Sequence, residues 1–291
     1  MCLLRSLCLA SLFTVLSAGQ DTVSDSPTTV IDAPETSTPL VAKSILNRSR
    51  YPYVVSIGTN TKGYYKHLCV GVIISNEFLL TAAHCIKRLP NQKQAKKFVA
   101  GGDDFLGSRK QTRFFVVQVQ WHPQFKLLGG HDIAVVRVYP KFPLDDKRFR
   151  SIKFKSKPRT DSGEKVSMLG WGRATVGRIK KIQETPFKTM RNDMCKQKHR
   201  FVFLTKTDIC ALHLKGPQGA CDGDSGAPLM DVANERLVGL LSYGKKACTP
   251  FQPYAFTRVS DYSKWIQQAM DYMDTVISVA NRTIWKDTGK G

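Results

Sequence analysis

The chain has 291 residues, of which 42% are hydrophobic and 23% charged, so it can bury a sizeable core and is not a disordered protein. Its 44 Lys and Arg residues against 23 Asp and Glu residues give a net charge of +21, which bears on partners and solubility but not on fold. No apolar run reaches the roughly 18 residues that a membrane-spanning helix needs.

The first residues have the features of a signal peptide. Arg5 supplies positive charge, an apolar stretch covers residues 7–18, and small residues at 17–19 suit cleavage. We therefore predict a signal peptide over 1–19 and a secreted, extracellular protein. A buried N-terminal helix is the alternative. It is disfavoured because residues 20–39, which are rich in Ser, Thr and Pro, offer nothing to pack against; there we predict a disordered pro-segment.

From about residue 51, short β-prone runs alternate with turn residues, which is typical of an all-β barrel or sandwich. Near the C-terminus the apolar period changes to that of a helix, which we expect from about residue 260. The strand-like runs include YVVSIG at 53–58, LCVGVII at 68–74, FFVVQVQW at 114–121, DIAVVRV at 132–138, KVSMLGW at 165–171 and RLVGLLSYG at 236–244. The helical face consists of Tyr262, Trp265, Ile266, Ala269, Met270, Met273 and Ile277.

Six cysteines remain once the signal peptide is removed, and an even number in an exported chain predicts three disulfides. Counting alone leaves 15 possible pairings. No spacing typical of a zinc site is present, and the adjacent acids Asp103 and Asp104 are a poor ligand set for calcium, so we predict no metal and no cofactor. The cysteines are Cys69, Cys85, Cys195, Cys210, Cys221 and Cys248.

Three segments carry residues suited to acyl transfer: TAAHC at 81–85, HDIAV at 131–135 and CDGDSGAPL at 221–229. A serine hydroxyl needs a base to take its proton, and the base needs a carboxylate to hold the correct tautomer. Backbone N–H groups must also stabilise the developing oxyanion, and glycines beside the serine allow the sharp turn that presents them. The combination predicts a nucleophilic serine site.

In their order and spacing these segments resemble the trypsin/chymotrypsin-like serine protease family, over about Tyr51 to Ile266. The motifs GWG at 170–172 and SYG at 242–244 extend the resemblance. It implies two six-stranded antiparallel Greek-key β-barrels, at about 51–140 and 160–258, with a C-terminal helix. The protease domain would span 40–270, and 271–291 would form a helix extension and tail.

The resemblance also implies a role for each matching residue. His84 would be the general base, Asp132 would orient it, and Ser225 would be the nucleophile. The N–H groups of Gly223 and Ser225 would form the oxyanion hole. The implied disulfides are Cys69–Cys85, Cys195–Cys210 and Cys221–Cys248.

The activation site departs from the family pattern. In the family, a freed N-terminal ammonium pairs with the acid before the serine, here Asp224. The matching terminus would be Leu40, but Pro39 precedes it and a trypsin-like activator would not cut there. A cut after Lys43 would leave the new terminus four residues short, on the order of 13 Å of extended chain. Either an unusual protease activates the chain, or it stays in a zymogen-like state.

The specificity pocket also departs from trypsin. The resemblance places Gly219 at its base, Ser242 and Gly244 along one wall, and Tyr254 where a second glycine is usual. Without an acid at the base, Arg or Lys selectivity is disfavoured. A phenol inside the slot would fill much of it, which predicts small apolar substrate side chains or an occluded pocket. The alternative is that Tyr254 points outward.

Basic residues cluster in three places: seven Lys or Arg within 147–159; Lys196, Lys198 and Arg200; and Lys93, Lys96 and Lys97. They are either solvated loops or an exosite for sulfated glycans or acidic proteins. We predict no nucleic-acid partner, no membrane span and a monomer. Asn47 and Asn281 lie in glycosylation sequons.

The function that this sequence favours is a secreted serine endopeptidase that acts on protein and peptide substrates. The alternative is a secreted homologue that is catalytically silent or locked as a zymogen and that binds partners through its basic clusters.

Overall fold

The computed structural model describes residues 49–61, 64–88, 96–154, 162–173, 180–198, 204–216, 219–244 and 248–288. The predicted signal peptide, pro-segment, activation site and Asn47 lie outside the described residues. The same holds for the side chain of Asn281 and for residues 93–95, 155–159 and 199–200 of the basic clusters.

Six strands of the N-terminal half close into a barrel in the order β1-β2-β3-β7-β6-β4, and every pair in it is antiparallel. The strands in chain order are β1 (Val54–Thr61), β2 (Tyr64–Ile73), β3 (Phe78–Thr81), β4 (Lys96–Gly101), β5 (Phe105–Leu106), β6 (Thr112–Trp121) and β7 (Ala134–Tyr139).

The C-terminal half forms a second closed antiparallel barrel in the order β10-β11-β14-β13-β12-β8, while β5 and β9 pair separately. Both barrels and the C-terminal helix confirm the predicted fold class. The strands are β8 (Lys165–Gly170), β9 (Lys180–Lys181), β10 (Gln183–Met190), β11 (Asp208–His213), β12 (Pro228–Asp231), β13 (Arg236–Gly244) and β14 (Pro253–Arg258). The helices are α1 (Ala83–Arg88), α2 (Asn192–Lys198), a 3-10 turn (Val259–Tyr262) and α3 (Ser263–Thr288).

The uninterrupted apolar run of β2 is explained by burial on both faces. Because side chains alternate along a strand, Ile73 and its neighbours at alternate positions point into the first barrel. Val70 and Val72 belong instead to a core cluster that also contains Met168 and Leu229 of the second barrel. The interface between the barrels, where the cleft opens, is therefore an apolar core.

Helix α3 packs the predicted face against the barrels, with Ile266, Ala269 and Met273 all buried. Arg137 of β7 bonds the Met273 carbonyl at 3.4 Å and pairs with Asp274 at 3.1 Å, which fixes the helix to the first barrel. The helix continues to Thr288, into the segment 271–291 for which the sequence predicts a helix extension and tail. In the described part of the chain, no helix is both long and apolar enough to cross a membrane.

Candidate active site

The first barrel positions a histidine and an aspartate side by side. His84 lies in the first turn of α1, directly after β3, and Asp132 lies just before β7. His84 Nδ1 is 2.7 Å from Asp132 Oδ2, and the His84 backbone N–H donates to Asp132 Oδ1 at 2.9 Å. The Ser242 hydroxyl donates to Asp132 Oδ2 at 2.6 Å. Both side chains are buried, so the carboxylate holds the imidazole with Nδ1 protonated and Nε2 free to accept a proton.

Ser225 reaches the same cleft from the second barrel. Its carbonyl accepts a hydrogen bond from the Val70 N–H at 2.8 Å, which joins the serine loop to β2. The next residue, Gly226, has φ +76°, and a Cβ there would lie 2.5 Å from the Val70 carbonyl oxygen. Only a glycine permits this approach between the two barrels.

His84, Asp132 and Ser225 all line one cleft of about 250 Å³. Among the described residues, the Ser225 hydroxyl makes no side-chain hydrogen bond, so the bond to His84 is not formed in this state. In substrate-free enzymes, catalytic hydrogen bonds are often long and tighten only when substrate binds. The structure therefore brings the three predicted catalytic residues to one cleft, and their catalytic roles stay predictions.

Two N–H groups beside the serine are available as donors. The N–H groups of Gly223 and Ser225 take no acceptor within the described part of the chain. Gly223 has φ +98°, and a Cβ there would lie 2.5 Å from the Gly172 carbonyl oxygen, so the turn requires glycine. Preorganised donors of this kind stabilise an oxyanion without reorganising during the reaction.

A partly buried chain of hydrogen bonds behind Gly223 was not predicted from the sequence. Tyr65 OH lies 2.6 Å from Ser56 Oγ, which lies 2.7 Å from His67 Nδ1, and His67 Nε2 lies 2.9 Å from the Gly223 carbonyl. Since that carbonyl can only accept, His67 carries its proton on Nε2 and accepts from Ser56. Burial lowers the pKa of His67 to about 4, so the imidazole is neutral.

Asp224 is buried between backbone donors. Gly172 N–H donates to its Oδ1 at 2.6 Å and Cys221 N–H to its Oδ2 at 2.9 Å. Burial raises the pKa of Asp224 to about 6, against the lowering effect of these two donors and of the Lys180 charge. Its expected partner, a freed chain terminus, lies outside the described residues.

Tyr254 points inward, into the predicted specificity pocket. Its ring contacts the Gly244 backbone closely, and its hydroxyl would lie 2.5 Å from a Cβ on Gly219. The hydroxyl donates to the Thr249 carbonyl at 2.8 Å, and the side chain is buried. The phenol therefore extends from the predicted wall to the predicted base, with Ser242 nearby in the same cleft.

Two leucines that line the cleft were also missed by sequence reasoning. Leu127 and Leu128 are 65% and 48% exposed, and both line the cleft. They form the tip of a turn closed by a 2.9 Å hydrogen bond from Gly129 N–H to the Lys126 carbonyl. Their signal in the sequence was an apolar pair directly before two glycines, where a surface turn would ordinarily be polar.

The structure forms the three disulfides that the resemblance implied: Cys69–Cys85, Cys195–Cys210 and Cys221–Cys248. Cys69, His84 and Cys85 bring three donor atoms together, but one disulfide uses both sulfurs, so this cluster does not suit a metal ion. The Asp104 carboxylate is likewise engaged in hydrogen bonds and not arranged as a metal ligand, because it accepts from Ser49 Oγ at 2.6 Å and from the Arg50 N–H at 3.0 Å.

The described part of the basic segment 147–159 is partly neutralised within the chain. Arg148 pairs with Asp146 at 2.7 Å, and Arg150 pairs with Glu235 at 2.8 Å. These two pairs leave fewer free charges in this segment than its sequence suggests. Asp222 at the cleft mouth is also paired, with Arg173 at 2.7 Å.

His131 is half-buried beside Asp132. Its ring stacks on His122 with centroids 4.6 Å apart, and its Nδ1 lies 3.1 Å from Tyr262 OH. Partial burial lowers the pKa of both histidines.

Comparisons with known proteins agree with this architecture. A family model described as Trypsin matches residues 43–266. Chymotrypsin-2 of Vespa crabro is 33% identical over 226 residues, which cover 76% of this chain and 95% of that protein. Coagulation factor XI of Bos taurus is 29% identical over 224 residues; the match covers 74% of this chain but spans only 35% of factor XI.

Among solved structures, mouse neuropsin, described as a serine protease expressed in the limbic system, matches with a TM-score of 0.62. That match has 26% identity and covers 76% of this chain and 95% of neuropsin. The chain belongs to the trypsin family of serine proteases.

Proposed function

We propose that this protein is a secreted serine endopeptidase that hydrolyses peptide bonds through an acyl-enzyme on Ser225. The observation that carries the proposal is the buried His84–Asp132 pair, with 2.7 Å between Nδ1 and Oδ2, in the same cleft as Ser225. Family membership and the three disulfides, which are typical of exported proteins, support it.

In the proposed mechanism, His84 Nε2 takes the Ser225 proton as Oγ attacks the peptide carbonyl carbon. The N–H groups of Gly223 and Ser225 bind the oxyanion of the tetrahedral intermediate. His84 then returns its proton to the amine nitrogen as the C–N bond breaks, which leaves an ester on Ser225. Water attacks that ester with His84 again as base, and the acid product and free hydroxyl are formed.

We further propose that the enzyme prefers small apolar side chains at the residue whose carbonyl is attacked. The inward Tyr254 phenol and the absence of an acid at Gly219 support this, since neither length nor charge of an Arg side chain would be accommodated. Leu127 and Leu128 offer apolar contact to a neighbouring substrate residue. No cofactor enters this mechanism.

For partners, we propose protein and peptide substrates and, through exposed lysines, sulfated glycans or acidic proteins. The chain would act as a monomer and bind no nucleic acid. Retention on a heparin column above physiological salt would support the anionic partners, whereas flow-through at physiological salt would exclude them.

The inward Tyr254 also favours a second candidate, a catalytically silent or zymogen-locked secreted homologue that binds partners. A fluorophosphonate probe distinguishes the two functions because it reacts only with an activated serine. For the enzyme we expect labelling of native protein that is abolished in Ser225→Ala and retained in Ser108→Ala, a control away from the cleft. Absence of labelling after every plausible processing cut would favour the silent homologue.

A further inference from the structure

The segment 222–224, which carries the Gly223 N–H, is held at each of its three residues by another part of the chain. Two of these three contacts come from residues 172 and 173, so the segment depends on how that neighbouring turn is fixed. The contacts are Arg173 Nη2 to Asp222 Oδ2 at 2.7 Å, His67 Nε2 to the Gly223 carbonyl at 2.9 Å and Gly172 N to Asp224 Oδ1 at 2.6 Å.

Lys180 of β9 lies against this turn. Its ammonium donates to the Arg173 carbonyl at 2.9 Å. The ammonium lies 3.2 Å from the point that a Cβ on Gly172 would occupy, and Asp224 Oδ2 lies 3.7 Å from the same point. Lys180 and Asp224 also line one small cavity of about 20 Å³, roughly the space that one water molecule needs. The two opposite charges therefore face the same narrow space.

An ionised Asp224 needs a positive charge nearby because the residue is only 3% exposed. An ionised carboxylate at such depth is costly unless hydrogen bonds and an opposite charge compensate it. The Gly172 and Cys221 N–H groups supply the hydrogen bonds. Among the described residues, Lys180 supplies the positive charge that acts on this carboxyl.

We propose that the Lys180 ammonium is the counter-ion that keeps Asp224 ionised and so holds the Gly223 N–H in its oxyanion-binding position. Lys180 is a positioning residue, since it touches neither substrate nor Ser225. The inference rests on the proposed function and deepens it. It assigns to an internal side chain the charge balance that the resemblance assigns to a freed terminus, so the site would not depend on where the chain is cut.

The other titratable groups near Asp224 keep one charge state around neutral pH. Burial keeps His67 of β2 neutral, with a pKa of about 4, and raises the pKa of Tyr254 of β14 to about 12. Arg173 and Asp222 at the cleft mouth pair with each other. Removing the Lys180 charge therefore raises the pKa of Asp224, and a higher pH restores the ionised carboxylate.

The test compares Lys180→Met and Lys180→Arg with Lys181→Met, which removes the same charge at the adjacent, exposed lysine. Fluorophosphonate labelling rates, kcat and KM are measured from pH 5 to pH 10. We expect Lys180→Met to slow labelling and kcat about 10-fold or more at pH 7, a part of the roughly 10²–10³ that a whole oxyanion donor is worth. KM should change little, and the rate should recover as the pH rises. Lys180→Arg and Lys181→Met should behave like the wild type.

The proposal is overturned if Lys180→Met is labelled like the wild type at every pH, or is slowed equally at every pH as a packing defect would be. Either result leaves the proposed function standing, provided that Ser225→Ala remains unlabelled. If the wild type takes no label, the proposed function fails. NMR titration of the Asp224 carboxyl carbon then decides whether Lys180 is its counter-ion. A higher Asp224 pKa in Lys180→Met supports the counter-ion, and an unchanged pKa overturns it.

Discussion

The two barrels contribute to the cleft in different ways. The first supplies His84 and Asp132, whose hydrogen bonds involve a backbone N–H and the Ser242 hydroxyl and depend on no substrate. The second supplies Ser225 and a pocket whose form depends on one aromatic side chain, Tyr254. The predicted departure of the specificity pocket from trypsin, at Tyr254, lies on this second side. The His84–Asp132 pair is thus fixed by the fold, whereas the predicted specificity pocket is open to change by single residues.

The largest effect should come from disrupting the His84–Asp132 pair of the first barrel. Asp132→Asn presents an amide donor to His84 Nδ1, which forces the imidazole into the tautomer that cannot accept the Ser225 proton. We expect kcat to fall by about 10⁴, as known for the corresponding change in a Ser-His-Asp triad. Ser108→Ala, which lies away from the cleft, is the control. A loss of less than tenfold in Asp132→Asn would contradict the proposed role.

An intermediate effect is expected on the second side. Tyr254→Gly removes the phenol between Gly219 and Gly244 and should let the pocket accept larger side chains. Ratios of kcat/KM for peptides with Phe against Ala at the cleaved position should rise by roughly 10- to 200-fold, the range that hydrophobic pockets provide. Tyr254→Phe, which retains the ring, should keep the wild-type preference. Unchanged selectivity in Tyr254→Gly would show that the phenol does not limit the pocket.

The smallest effect should come from the hydrogen-bond chain behind Gly223, which connects the first barrel to the Ser225 loop. Ser56→Ala leaves His67 Nδ1 without its donor, so the tautomer that holds the Gly223 carbonyl is no longer enforced. We expect the free energy of unfolding to fall by about 1 kcal/mol, measured by urea denaturation, with a several-fold decrease in kcat. Tyr65→Phe removes only the far end of the chain and should do less. If the Ser56→Ala variant is destabilised but fully active, the hydrogen-bond chain has only a structural role.

Much of the molecule was predictable because it depends on local pattern or on a resemblance with fixed spacing. Alternating apolar runs predicted the strands, and the helical period placed Ile266 and Met273 on the buried face of α3. The resemblance also implied that His84, Asp132 and Ser225 meet, and the structure places them in one cleft, although their catalytic roles stay predictions.

The remaining features depend on contacts between ordinary residues far apart in the chain. Nothing in the sequence around Lys180 indicates that its ammonium lies near Asp224, and Ser56, Tyr65 and His67 have no motif of their own. For Tyr254, counting gave the position but not the orientation. Orientation is decided by the space beside Gly219 and Gly244 and by an acceptor at Thr249, none of which a one-dimensional pattern contains.

The hydrogen bond from the Val70 N–H to the Ser225 carbonyl has a mechanical consequence. It fastens the reactive loop to the body that carries its proton acceptor. The adjacent Gly226 N–H donates to the Leu241 carbonyl of the second barrel at 2.8 Å, so the loop is held by both barrels. Any sliding of one barrel past the other would therefore have to stretch one of these two hydrogen bonds.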